Sequence, residues 1–138
     1  MRMNDIDVDE YVEHPPHPVL EVLRVCAEGE NGCSPQPEHI RRLFLLYRTG
    51  GTFIGYVLFT SETPRATTYE VSAFLLPAFR NQGYMKRFIH WFYCKTHDQP
   101  LVDFVAYVNG RNAPAMSVVQ HATEAYNVSI HCQIQTRL

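Results

Sequence analysis

The sequence predicts a mixed α/β fold in which helices flank one central sheet, with elements in the order β-α-β-β-β-α-β-α-β. Two observations carry this prediction. Two dense apolar runs flank the pair Gly50 and Gly51, which is the pattern of a β-hairpin. Farther along, an amphipathic helix separates two strands, and strands connected in this way lie parallel in one sheet. A sheet that contains both kinds of connection is mixed, with helices packed on it.

The first two elements are a short strand and a helix. Residues 5–12 alternate acidic and apolar side chains, as a strand with one solvent-exposed face does. The helix that follows has Pro18 in its first turn and ends at Gly29. Residues 28–39, rich in Gly, Pro and polar residues, are predicted to form a loop. The apolar side of the helix consists of Val19, Leu20, Val22, Leu23 and Cys26.

Three strands are predicted next. Residues 42–48 and 52–61 are apolar at both odd and even positions, so both faces of their sheet are expected to be covered. Residues 67–77, TTYEVSAFLLP, are the third strand of this region and end at a proline.

Helices and strands alternate in the second half of the chain. After Gly83 an amphipathic helix of about four turns is predicted. Residues 101–108 are predicted to be a buried strand, and Asn112 is suited to cap a second helix. Residues 126–134 alternate as a last strand with one exposed face. The helix after Gly83 is indicated by apolar residues at i, i+3, i+4 and i+7, namely Met85, Phe88, Ile89 and Phe92.

Length and charge limit the class of function. The 138 residues suffice for one domain, and we expect a single domain over residues 1–138. The formal net charge of −2 argues against a protein whose main task is to coat nucleic acid, leaving only Arg41, Arg42 and the cations of residues 80–87 for that interpretation. We expect a cytoplasmic protein without a membrane partner, because no apolar stretch could span a bilayer and the acidic N-terminus is unlike a signal peptide.

The cysteine spacing predicts reduced thiols and no metal site. None of the four cysteines belongs to a CxxC pair, and paired ligand spacing is what a zinc site requires. At least two of these thiols are expected to be buried. The four residues are Cys26, Cys33, Cys94 and Cys132.

One junction suggests a binding site. In residues 74–88, FLLPAFRNQGYMKRF, a strand runs through a basic turn directly into a helix. A helix N-terminus presents unpaired N–H groups and a positive dipole end, which suit an anion, and Gly83 lets a ligand come close to the backbone. Arg80, Lys86 and Arg87 add positive charge. By itself the pattern favours an ordinary turn beside a solvated cationic face, because one glycine between a strand and a helix is a weak signal of a binding site.

The order of motifs resembles the GCN5-related N-acetyltransferase (GNAT) superfamily. That family has Arg/Gln-x-x-Gly-x-Gly/Ala between a strand and a helix, often with a proline three residues before the first position. The stretch LLPAFRNQGYM supplies Pro77, Arg80 and Gly83, whereas Met85 stands where Gly or Ala is usual. The unbranched Met85 side chain is expected to turn into the core, since this residue also begins the apolar stripe of the helix.

The resemblance extends over about residues 42 to 126. Gly55 and Tyr56 match a Gly-Tyr pair that the family usually carries in the preceding hairpin. Asn112 matches the start of the family pattern Asn-x-x-Ala-x-x-x-Tyr, but Val119 replaces its tyrosine. In this family the N-terminal segment borders the acceptor groove. Its acidic residues would suit a cationic amine, or they form a solvated face.

The resemblance implies that acetyl-CoA is a cosubstrate and that an amine, in a small molecule or a protein, accepts the acetyl group. The amides of residues 81–85 would bind the pyrophosphate, and the main chain of residues 74–76 would pair with the pantetheine arm. Asn112 would contact the arm from the other side. The predicted cofactor-binding residues are Phe74, Leu75, Leu76, Arg80, Asn81, Gln82, Gly83, Tyr84, Met85, Lys86 and Asn112.

The catalytic candidates are Glu70, Tyr69 and Tyr107. Glu70 is the one carboxylate on the strand before the turn, but strand parity separates it from the face that Tyr69 shares with Leu75 unless a bulge reverses the parity. Tyr107 lies near the end of the next strand, where other family members have a catalytic carboxylate. Val119 cannot protonate a leaving thiolate. The alternative is therefore a non-catalytic GNAT-fold protein, phage-encoded or regulatory, that binds a protein partner with or without CoA.

Overall fold

The computed structural model describes residues 2–3, 5–29, 35–65, 68–96, 103–109, 118 and 130–135. Within these residues the strands form one seven-stranded sheet in chain order, and two helices are bounded. The mixed α/β prediction is confirmed. The elements are β1 (Arg2–Met3), β2 (Ile6–Val12), α1 (His17–Gly29), β3 (Ile40–Arg48), β4 (Phe53–Thr60), β5 (Thr68–Leu75), α2 (Tyr84–Thr96), β6 (Asp103–Asn109) and β7 (Ile130–Gln135).

The sheet changes from antiparallel to parallel after β5. Each neighbouring pair from β1 to β5 is antiparallel, and the pairs β5–β6 and β6–β7 are parallel. The crossover from β5 to β6 runs through α2, as predicted. β1 was not predicted, because two residues show no periodicity. The predicted second crossover helix and residues 126–129 of the last predicted strand lie outside the described residues, apart from the helical Val118.

The predicted hairpin joins β3 and β4. Its turn residues have positive φ, +109° at Gly50 and +96° at Gly51, which glycine adopts without steric conflict. The Gly51 N–H donates to the Arg48 carbonyl oxygen at 2.9 Å, and the Arg48 N–H donates to the Thr52 carbonyl oxygen at 2.8 Å. These bonds close the turn and set the register of the two strands.

Both faces of the central strands are buried, as their continuous apolar runs predicted. One face packs under α2 and the other under α1, because alternate residues of a strand point to opposite sides. The α2-side core contains Ile6, Val8, Phe44, Leu46, Ile54, Val57, Phe59, Tyr84 and Phe88. The α1-side core contains Val19, Leu23, Cys26, Ile40, Leu43, Leu45, Tyr56 and Leu58.

Two β-bulges interrupt the pairing of β3 with β4. Tyr47 lies opposite Phe53 and Leu46 lies opposite Gly55, so Ile54 is an extra residue of β4. Ile40 lies opposite Thr60 and Arg42 lies opposite Phe59, so Arg41 is an extra residue of β3. Sequence analysis had considered a bulge in β5 instead. The register of β5 with β4 is continuous from Gly55↔Leu75 to Thr60↔Glu70, so the parity of β5 is not reversed there.

The end of β5 differs from its predicted limit. The strand ends at Leu75, and a 3₁₀ turn follows at Pro77–Phe79. Proline has no N–H to donate to a neighbouring strand and its φ suits the first turn of a helix, so the chain bends at this residue.

The cysteine environment is described for two residues. Cys26 is buried, as expected, and Cys94 is exposed. Burial raises the pKa of the Cys26 thiol above its ordinary value. This thiol therefore remains protonated at neutral pH and packs as a small apolar group. Within the described residues, no helix has both the length and the apolar character needed to cross a bilayer.

A cross-strand ion pair braces β2 against β3. Arg42 Nη2 lies 2.7 Å from Glu10 Oε1, and the two side chains are 28% and 19% exposed. The guanidinium carbon lies 5.1 Å from the ring centroid of Phe44 and 5.3 Å from that of Phe92. The pair is therefore largely withdrawn from water, where the loss of one partner is costly.

We expect Glu10→Ala to lower the free energy of unfolding by about 1–3 kcal/mol, because it leaves the Arg42 guanidinium without its carboxylate. The matched control is Glu28→Ala, which breaks an exposed pair with Arg24 at 2.8 Å and should lose at most about 0.5 kcal/mol. Urea unfolding of both variants measures the difference. Equal losses would mean that the half-buried pair contributes no more than a surface one.

Candidate functional site

The candidate site lies where the pairing of β5 with β6 ends. The parallel pairing runs from Thr68↔Asp103 to Val71↔Ala106. Beyond it, β5 continues to Leu75 beside β4, and β6 continues to Asn109 beside β7. The carboxyl ends of these two neighbouring strands therefore enclose an opening in the sheet. In open α/β sheets, ligands bind at the carboxyl ends of the strands.

The main chain of Leu75 faces this opening. The Leu76 N–H donates to the Ile54 carbonyl oxygen at 2.8 Å, so Leu76 turns its N–H toward β4. Hydrogen-bonded and non-hydrogen-bonded pairs alternate along an antiparallel ladder, which makes Gly55 and Leu75 a non-bonded pair. The N–H and C=O of Leu75 consequently point toward the side of β6. The polar groups of Phe74 point to β4.

Sequence analysis missed one residue of this edge. Ala73 pairs with Val57 two positions before Leu75, so its main-chain groups face the same side. The two-residue period of a strand would have identified it, because residues that share an edge are separated by two positions. Of the three predicted pantetheine-pairing residues, Leu75 alone turns its main chain toward the opening.

Gly55 allows β4 and β5 to approach each other closely beside the opening. A Cβ atom built at this position would overlap the Phe74 carbonyl oxygen and lie 2.9 Å from the Leu75 Cα atom. Real Cβ atoms do not reach such distances from backbone. Gly55 of the Gly-Tyr pair is therefore required by the close approach of β5 to β4.

The turn after β5 presents the N-terminus of α2. Asn81 and Gly83 have positive φ, +62° and +80°, and the Arg87 N–H donates to the Gly83 carbonyl oxygen at 3.0 Å. The amides of the first helical turn precede this bond and have no acceptor within the helix. No atom of the described residues lies within 4 Å of a Cβ built at Gly83, so the glycine is needed for its φ and the space beside it is open. This arrangement suits a bound anion.

Two side chains hold the turn together. Arg80 Nε donates to the Leu75 carbonyl oxygen at 2.8 Å, and Gln82 Nε2 donates to the Ala78 carbonyl oxygen at 2.7 Å. Arg80 therefore bonds to the last residue of β5, and Gln82 bonds to the backbone of the 3₁₀ turn. The predicted residues of the turn lie together in space.

The departure from the family motif at Met85 does not obstruct the turn. Met85 is half-buried and packs against the α2-side core, as expected for the first residue of the apolar stripe. Its neighbour Tyr84 is buried in the same core. The side chains at the start of α2 are thus directed into the protein, away from the open space at Gly83.

The cations around the turn differ in their surroundings. Arg87 Nη1 lies 3.1 Å from Asp5 Oδ1, and its guanidinium carbon lies 4.6 Å from the ring centroid of Tyr84. Lys86 is exposed. Because Asp5 and Glu10 are both ion-paired within the chain, the acidic N-terminal strand carries less net negative charge than its sequence suggests.

The catalytic candidates do not share one face. Tyr69 is half-buried against the α2-side core, and Glu70 is exposed on the opposite face of β5. The continuous register of β5 preserves this separation. Tyr107 belongs to the part of β6 beyond the parting and pairs with Gln133 of β7. Asn112 and Val119 lie outside the described residues.

Comparisons with known proteins give a consistent result. The sequence model of the Acetyltransferase (GNAT) family matches residues 2–117. The chain is similar in structure to a protein assigned as a phosphinothricin N-acetyltransferase, with 17% identity, a TM-score of 0.59, and coverage of 83% of this chain and 80% of that chain. It is also similar to a spermidine N-acetyltransferase from Vibrio cholerae in complex with CoA and spermine, with 10% identity, a TM-score of 0.60, and coverage of 86% and 80%. No curated protein matches the sequence.

Proposed function

The chain belongs to the acetyltransferase (GNAT) family, and we propose that it transfers an acetyl group from acetyl-CoA to an amine by direct attack in a ternary complex. The observation that carries this proposal is the opening between β5 and β6 beside the N-terminus of α2. An extended arm and an anionic group on one ligand require these two features at the same end of the sheet.

Cofactor binding uses the backbone at both features. The amides of residues 81–85 bind the pyrophosphate, where Gly83 leaves room and Lys86 adds charge. The pantetheine arm pairs with the outward main-chain groups of Ala73 and with the Leu75 N–H as an additional strand would, while the Leu75 carbonyl oxygen accepts from Arg80. Asn112 contacts the arm from the other side, as the family resemblance implies.

The chemistry is an acyl transfer. The lone pair of a neutral amine attacks the thioester carbonyl carbon, and a C–N bond forms as negative charge moves to the oxygen. A main-chain N–H stabilises this oxyanion. Its collapse breaks the C–S bond, and the thiolate leaves and takes up a proton. The amine nitrogen loses a proton to a base or a water chain.

Three residues remain candidates for the proton transfers. We propose Tyr107 first, because it belongs to the part of β6 that borders the opening. Tyr69 on the α2 side and Glu70 on the α1 side are the other two. The spermidine acetyltransferase that resembles this chain was solved with spermine. Polyamines and lysine-containing peptides are therefore the first acceptors to test.

The alternative is a non-catalytic protein of the same fold that binds a protein partner, with or without CoA. The residue that favours it is Val119, which stands where the family resemblance expects a tyrosine and cannot donate a proton. The two functions share the fold, and only the enzyme transfers an acetyl group to an amine.

The test begins with thermal unfolding in the presence of CoA. At about a hundred times its dissociation constant, CoA should add roughly 2.7 kcal/mol of stability. Acetyl transfer is then followed by release of the CoA thiol with a panel of amines. Stabilisation with turnover supports the enzyme, stabilisation without turnover for any amine supports the binding protein, and the absence of stabilisation argues against the CoA site.

A further inference from the structure

Arg80 is bonded to the end of the strand that precedes it. Its Nε donates to the Leu75 carbonyl oxygen at 2.8 Å, and its guanidinium carbon lies 5.7 Å from the ring centroid of Phe74. Phe74 in turn stacks on Tyr56, with 5.5 Å between ring centroids. The side chain therefore reaches back across five residues to the sheet.

The Leu75 carbonyl group, which accepts from Arg80, lies beyond the part of β5 that pairs with β6. Leu75 faces the side of β6, but the pairing with β6 ends at Val71. In a continuous sheet a strand N–H would satisfy this oxygen. Arg80 supplies the donor instead, and the bond ties the turn to the last residue of β5.

We propose that Arg80 is a positioning residue that fixes the anion-binding turn relative to the cofactor-pairing edge of β5, an inference that rests on the proposed binding of CoA. The pyrophosphate of CoA and its pantetheine arm are covalently linked, so both subsites must be held at one separation. A ligand that occupies two sites gains affinity only when their geometry permits simultaneous contact. Arg80 maintains that geometry through the Leu75 carbonyl.

This role differs from that of a phosphate-binding cation in a measurable way. A cation that attracts phosphate raises the affinity of the protein for every ligand that carries a pyrophosphate, and salt screens this effect. A positioning residue raises the affinity for a ligand that spans both subsites. It leaves the affinity for a ligand that occupies one subsite unchanged. CoA spans both, whereas ADP carries a pyrophosphate without a pantetheine arm.

Two substitutions separate the bond from the charge. The side-chain nitrogen of glutamine is as many bonds from Cα as the Nε of arginine, so Arg80→Gln keeps the donor without the charge. Arg80→Met keeps the length without the donor. We expect Arg80→Met to weaken the binding of CoA about tenfold and the binding of ADP by less than about twofold. Arg80→Gln should recover most of the lost CoA affinity.

The charge control is Lys86→Gln in the first turn of α2. This substitution should weaken the binding of CoA and the binding of ADP by the same factor, and it should reduce the salt dependence of both affinities. Isothermal titration measures each affinity, and thermal unfolding verifies that each variant is folded. The positioning role would be overturned if Arg80→Met lost affinity for CoA and ADP equally, or if Arg80→Gln recovered no CoA affinity. A wild-type protein that binds neither ligand would instead overturn the proposed function, and this inference with it.

Discussion

Gly83→Asp is expected to abolish CoA binding and to leave the fold intact. Gly83 has a φ of +80° and open space on its Cβ side, directly before the first amides of α2. The aspartate would put a carboxylate beside the amides that we propose to bind the pyrophosphate, and it would repel the ligand. Because hydrogen bonds to a charged group contribute about 1.5–3 kcal/mol each, loss of two or more corresponds to a weakening of more than about a hundredfold.

The matched control is Gly51→Asp. Gly51 also has a positive φ, +96°, and open space around its Cβ position, but it lies in the β3–β4 hairpin turn. Both variants carry the cost of a non-glycine residue in the left-handed region, about 1–2 kcal/mol. Only Gly83→Asp should lose CoA affinity in isothermal titration. An unchanged affinity in folded Gly83→Asp would remove this turn from the cofactor site.

Gly55→Ala is expected to lower the free energy of unfolding by about 3 kcal/mol or more, at the upper end of what overpacking costs. The added Cβ would overlap the Phe74 carbonyl oxygen and lie 2.9 Å from the Leu75 Cα atom. Both neighbours are backbone atoms, so no rotamer change can relieve the contact. The methyl group can be accommodated only if β4 and β5 separate at the end that forms the site. Urea unfolding measures the loss, and the melting temperature should fall by roughly 10 °C.

Gly29→Ala serves as the control for this substitution. Gly29 ends α1, and no atom in the part of the chain that the structure describes lies within 4 Å of its Cβ position. The same chemical change should therefore be neutral or stabilise the protein by less than about 1 kcal/mol through the unfolded state. If Gly55→Ala stays within about 0.5 kcal/mol of the wild type, the close approach of the two strands is not a constraint on the fold.

The elements themselves were predictable because their signals are local. Helix α2 follows from an apolar repeat confined to thirteen residues, and the β3–β4 hairpin follows from two glycines between apolar runs. The turn that suits an anion was predicted in the same way, since Arg80 and Gly83 lie within four residues of the start of the helix that they precede. In each case the residues that determine the structure are neighbours in the chain.

Only the tertiary structure decided how these pieces form the candidate site. The bulges lie at Arg41 in β3 and at Ile54 in β4 and not in β5, because register depends on which residues of two strands face each other. The pairing of Arg87 with Asp5 joins residues 82 positions apart, which no periodicity reveals. The parting of β5 from β6 after Val71 likewise exists only between strands. The amino-acid sequence by itself determined the described helices, the strands β2 to β7 and the turn that suits an anion. The two-residue β1 and the opening beside that turn arise from non-local strand pairing, whose register and end are decided only when the sheet assembles.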